Sequence, residues 1–120
     1  MGAVKPDGIT VYLTGQVAWN DNEEIVGKGN IEMQTRKCFE NIALLLGEVG
    51  GELSDIVAIT TYFTDRSQLP SIQKVRSEFL SRSSAPASTS VMVSGLGHAD
   101  LLVELTPIAV IPHDRFRAPN

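Results

Sequence analysis

The chain has 120 residues, 42% of them apolar and 20% charged, which suits one globular domain spanning 1–120 and excludes a disordered tail or a collagen-like repeat. Ten basic against fourteen acidic side chains leave a formal charge of −4, which argues against nucleic acid as a partner because duplex binding needs a cationic footprint. One cysteine, Cys38, cannot build a disulfide framework or a Cys-rich zinc site, no stretch approaches the ~20 apolar residues of a membrane span, and Pro6-Asp7-Gly8 interrupts any secretory signal, so the expectation is a cytoplasmic protein with no membrane role.

Ile9 to Gln16 is rich in β-branched and aromatic residues, follows a Pro-Asp-Gly turn signal and predicts a strand running on through Trp19, with room for a paired arm after the polar turn Asn20-Asp21-Asn22. From Ile31 the period changes. Ile31, Gln34, Cys38, Ile42, Leu45, Leu46 and Val49 keep the three- and four-residue steps of one helix face, with Asn30 as N-cap and Gly50-Gly51 as the stop. Ile56 to Thr64 predicts a second strand whose imperfect alternation suits cover on both faces. A shorter helix, Leu69 to Leu80, carries the apolar stripe Ile72, Val75, Phe79 and Leu80, and its Lys74, Arg76 and Glu78 are expected to face water.

Ser88 to Val93 predicts a third strand and Leu101 to Ile111 the last, joined by the loop Ser94 to Asp100. Pro107 inside the last strand has no N–H for a ladder, which places it at an edge, a bulge or a subunit boundary. The polar tail from Pro112 is expected to wrap the surface or fray. The order implies an α+β fold, a mixed sheet with two helices packed on one face. The other face keeps apolar residues, so an oligomer that buries it is expected.

Leu13-Thr-Gly-Gln16, Gln34-Thr-Arg36, Asn41-Ile42, Asp55-Ile-Val57, Tyr62-Phe-Thr-Asp65, Pro86-Ala87, Val103-Glu104-Leu105 and Ile108-Ala-Val110 together resemble the reactive intermediate deaminase family, also called Rid or YjgF-like proteins. The resemblance covers about Val11 to Val110 and implies a chorismate-mutase-like fold assembled as a homotrimer, with a small-molecule ligand in each inter-subunit cleft. It implies hydrolysis of enamines and imines to carbonyl compounds and ammonia. Such chemistry needs a water at the C=N carbon, a proton donor near nitrogen and an anchor for the substrate carboxylate. The family anchors the carboxylate with an arginine in a Pro-Ala-Arg motif, through two parallel hydrogen bonds, and orients the water with a glutamate on the last strand.

The departures are specific. The motif here reads Pro86-Ala87-Ser88-Thr89, so an uncharged hydroxyl stands where the family has a guanidinium. Charge-assisted hydrogen bonds contribute ~1.5–3 kcal/mol each, so little activity on simple 2-imino acids is expected. Ser90 stands where many members have cysteine, Gln73 where some have asparagine, and the loop Gly95 to Asp100 is longer than usual. The family's Gly-Pro-Tyr segment, which lends an aromatic to the cleft, would precede this sequence.

The resemblance makes Glu104 the catalytic candidate, although strand alternation alone could turn it to solvent. Ser88, Ser90, Gly15, Gln73 and His98 are the substrate-binding candidates. Against them, a Ser/Thr run on an exposed strand is ordinary, Gly15 suits a bulge as well as a cleft floor, and a lone loop histidine usually decorates the surface. Arg66 and Arg82 could in principle replace the missing guanidinium, but surface solubility is the simpler role for both. Cys38, on an apolar helix face, is a packing residue. No metal is implied by two distant histidines, and no cofactor by any phosphate loop or dinucleotide fingerprint. The competing function is a non-catalytic trimer that binds a metabolite and reports it to a partner.

Overall fold

The computed structural model describes residues 2–119. Strand β1 (Ile9–Tyr12) is much shorter than the run of β-formers that begins it. It pairs antiparallel with the last strand, β4 (Val103–Ile111), from Ile9↔Ile111 to Tyr12↔Ile108, and pairing resumes only at Gln16↔Leu105. Leu13, Thr14 and Gly15 therefore oppose two residues, Thr106 and Pro107, which makes a one-residue bulge. Pro107 gives the cause. It sits on an inner strand rather than an edge, offers no N–H to its neighbour, and receives the Leu13 N–H at 3.4 Å on its carbonyl. Beyond the bulge the chain makes the expected arm as a small hairpin with a Trp19↔Ile25 bridge, its turn held by the Asn20 side chain accepting from Asn22 and Glu24 N–H at 2.9 and 3.0 Å.

Helix α1 (Ile31–Glu48) starts where Asn30 accepts the Met33 N–H at 3.0 Å and ends before Gly50, whose φ of 82° is the left-handed stop. Its buried face holds Cys38, Phe39, Ile42 and Leu46 together with Gln34. That amide has work to do. Gln34 donates to the Gly27 and Asp100 carbonyls at 3.2 and 2.8 Å and accepts the Leu102 N–H at 2.9 Å, so the helix holds two loops far apart in sequence. Asn41 likewise donates to the Val17 and Trp19 carbonyls, both at 3.0 Å.

Strand β2 (Ile56–Phe63) leads through helix α2 (Leu69–Phe79) to strand β3 (Ala87–Met92), and this crossover makes β2 and β3 parallel. The sheet order is β1-β4-β2-β3, with both helices on one face. Phe79 of α2 stacks on Phe39 of α1 at 4.9 Å, and the Arg36 guanidinium forks onto Glu78 at 2.8 and 3.0 Å, holding that carboxyl below its ordinary range.

Burial along β4 follows the pleat. Val103, Leu105, Pro107, Ala109 and Ile111 are buried toward the helices, whereas Glu104, Thr106 and Ile108 on the other face are half-buried. β2 behaves likewise: Ile59, Thr61 and Phe63 are buried while Thr60 and Tyr62 are half-buried, so cover on both faces is absent within one copy. The open face carries Tyr12, Tyr62 and Ile108 among Thr10, Thr60 and Thr106, more hydroxyl-rich than a bare apolar patch. The tail wraps. Arg115 clasps the buried Asp55 carboxylate at 2.7 and 3.0 Å and the Gly50 carbonyl at 3.1 Å, while Arg117 reaches the Gly47 carbonyl at 2.9 Å. Both cations sit at the negative end of the α1 dipole.

Candidate functional site

Glu104 faces the open side of the sheet, opposite Tyr62 of β2. The Gln16–Leu105 bridge, closed by N–H···O bonds of 2.7 and 2.9 Å, lays the bulged segment directly over it. The Gly15 backbone lies so close that a side chain there would overlap the Glu104 carboxylate, with the Thr106 hydroxyl on the other flank. A side chain at Gly15 would therefore have to displace the Glu104 carboxylate from this position; the Gly15 φ is unexceptional. Among the described residues no hydrogen bond or ion pair holds the Glu104 carboxylate. A half-buried carboxylate with free lone pairs can accept a proton from a bound water. On the opposite side of β4, burial pushes the Cys38 thiol up to about 12, with the charge of Glu104 adding to the effect.

Ser88 and Ser90 lie elsewhere. The parallel register sets Ser88 beside Ile59 and Ser90 beside Thr61, both buried under the helices, so the two serines share the helix-side face of the edge strand. There the Arg76 guanidinium of α2 donates to the Ser88 Oγ at 2.5 Å. Arg76 was expected to point into water with Lys74 and Glu78; instead it is half-buried and turned onto the strand. The sequence carried a signal for this. Arg76 is four residues from both Ile72 and Leu80, so it borders the buried stripe, a position from which a long side chain can reach across the helix edge. Gln73, Arg76, Ser77, Leu80, Arg82 and Ala85 line an open depression of about 240 Å³ beside that contact.

His98 belongs to neither group. Its Nδ1 accepts the Asp100 N–H at 3.0 Å, and with Thr64, Ser94 and Leu96 it borders a separate depression of about 330 Å³. Six candidates therefore fall into three places: Glu104 with Gly15 on the open face, Ser88 and Gln73 beside Arg76 at the sheet edge with Ser90 farther along that strand, and His98 on its own loop. Among the described residues no three His, Cys, Asp or Glu groups stand close enough to hold a metal ion, and no helix is long and apolar enough to cross a membrane.

Comparison with known proteins agrees with this architecture. Residues 2–111 match the family model described as Endoribonuclease L-PSP. The chain is similar to the 3-aminoacrylate deaminase RutC of Acinetobacter baylyi, 33% identical over 89% of this chain and 82% of that protein. It is similar to a 2-iminobutanoate/2-iminopropanoate deaminase of Dermatophagoides farinae, 31% identical over 87% of this chain and 80% of the relative. Among solved structures, RidA from an Antarctic Psychrobacter superposes with a TM-score of 0.79 at 31% identity, covering 92% of this chain and 86% of that one.

Proposed function

With residues 2–111 matching its model, this chain belongs to the endoribonuclease L-PSP family, and from that premise we propose that it hydrolyses an enamine or imine of a small metabolite. The observation that carries the reading is Glu104, a half-buried carboxylate seated against the Gly15 backbone and unpaired among the described residues. In the imine, which an enamine reaches by losing a proton at nitrogen and gaining one at its β-carbon, Glu104 takes a proton from water as the water oxygen bonds to the C=N carbon, and the π pair moves to nitrogen. The proton then passes from Glu104 to that nitrogen, and the carbinolamine releases ammonia as its hydroxyl becomes the carbonyl. The deaminase names of two relatives support this reaction class. The net charge of −4 weighs against RNA as substrate despite the family's name.

Residues 1–120 act in this reading as one domain, and more than one copy is needed. Ser88 and Glu104 project from opposite faces, on rows three residues and two strands apart, about 14 Å in the sheet plane by ordinary strand spacings. One short metabolite cannot touch both within a single copy. We place the ligand in a cleft between copies of a homotrimer, with Glu104 and Gly15 from one and Ser88, Ser90 and Gln73 from the next. His98, turned onto its own loop, stands at the rim.

Ammonia release from enzymatically generated enamines and imines tests the reaction. Glu104→Gln should lower turnover at least ~100-fold, in the range usual for removing a general base, with an unchanged melting temperature. A variant that keeps wild-type turnover removes Glu104 from the mechanism. Ligand binding without turnover by the wild-type protein would mark a metabolite-binding trimer instead.

A further inference from the structure

We infer that Arg76 of α2, braced by Ser88, is the carboxylate-binding group of this chain, and that the ligand is therefore a short carboxylate rather than a neutral metabolite. The inference rests on the proposed small-molecule site and names its substrate class. It reverses the expectation that replacing the motif arginine by Ser88 removes anion recognition.

Three observations converge on Arg76. Arg76 is half-buried as a residue, its guanidinium meets Ser88 where solvent still reaches, and it has no carboxylate within 4.0 Å among the described residues, unlike Arg36 and Arg115, which fork onto Glu78 and Asp55. A guanidinium without a counter-charge keeps its fork for an anion. Among the described residues its one side-chain hydrogen-bond partner is the Ser88 hydroxyl, which accepts from Nη1 and leaves the other guanidinium N–H groups of the fork for a ligand. The same side chain lines the 240 Å³ depression with a second cation, Arg82, and three neutral polar groups, Gln73, Ser77 and Ser81, and among the described residues no acidic side chain borders it. In a chain of net charge −4, a concavity holding two guanidiniums and no carboxylate is selective for an anion of a few heavy atoms.

Ser88 has a definite part in this. A serine at that position is short enough to let the Arg76 side chain cross from the helix and holds its fork by one hydrogen bond; an arginine there would compete for the same space and charge. The cation has moved from strand to helix, and the strand residue has become its brace. Ser88 is a positioning residue in this arrangement, and Arg76 makes the ligand contact.

Binding, which needs no turnover, tests this independently of the hydrolase reading. Titration of the intact protein with 2-oxobutanoate and with its neutral primary amide, followed by calorimetry or amide chemical shifts, should show saturable binding of the acid and at least ~10-fold weaker binding of the amide. Arg76→Gln should weaken acid binding on the order of 100-fold and leave the amide unchanged. Arg76→Lys, which keeps charge and stem should the Gln variant fail to fold, should lose about 10-fold because an ammonium cannot fork. In the Arg76→Gln background, Ser88→Arg should restore at least ~10-fold of the lost affinity, a rescue that a merely structural role for Arg76 would not give. Equal acid affinity in Arg76→Gln and wild type, or no saturable acid binding by wild type at millimolar concentration, overturns the inference. Acid binding that depends on Arg76 without ammonia release overturns only the hydrolase reading.

Discussion

Cys38 shows how far one side chain's chemistry is set by what surrounds it. Desolvation, reinforced by the Glu104 charge, raises its thiol from an ordinary value near 9 to about 12. A raised folded value means that stability is intact below pH 9 and is lost as pH climbs toward 12, because only the unfolded chain can release the proton. Urea unfolding between pH 9 and 11 should therefore show a stability loss of up to ~1.4 kcal/mol per pH unit that Cys38→Ala lacks. Equal slopes for the two proteins would refute it. Its inertness was readable from the helix stripe alone. Arg76 was not, because whether a residue bordering that stripe turns to water or to the sheet depends on a strand twelve residues later in sequence.

At the scale of elements, the buried amides of α1 matter more than their polarity suggests. Gln34 counted in sequence as one step of an apolar face, and the structure makes it the tie between the loop before α1 and the loop before β4. Gln34→Leu keeps the volume but leaves two carbonyls and one N–H without this partner. Chemical denaturation should show a loss of about 2–4 kcal/mol, well beyond that of an exposed substitution on the same helix such as Leu44→Ala. A loss below ~1 kcal/mol would mean that water replaces the amide. The α1 boundaries were legible because Asn30 and Gly50 act locally. β1 was misjudged in length because its limit lies in Pro107, a residue of another strand.

For the whole molecule, the open face decides whether a site exists. Tyr12 is 75% exposed there beside Ile108, with Tyr62 farther along the same face, which a second copy would cover. We expect the wild-type protein to run in solution at three times its 13.0 kDa chain mass. Ile108→Glu, placing a charge amid that face, should give a folded single chain without turnover. Wild-type protein at the mass of one chain, or an active Ile108→Glu monomer, would defeat the inter-subunit cleft.

Sequence alone determined the order and type of the elements, the caps of α1, the α+β class, the family resemblance and the departure at Ser88, since periodicity, capping and motif spacing are properties of neighbouring residues. Tertiary structure alone decided that Gly15 yields its side-chain space to Glu104, that Ser88 and Glu104 stand back to back across one sheet, and that Arg76 reaches the place where the expected arginine is absent. Each of these depends on strand register and on how a helix lies across it, and register is set by contacts between segments that no local pattern records.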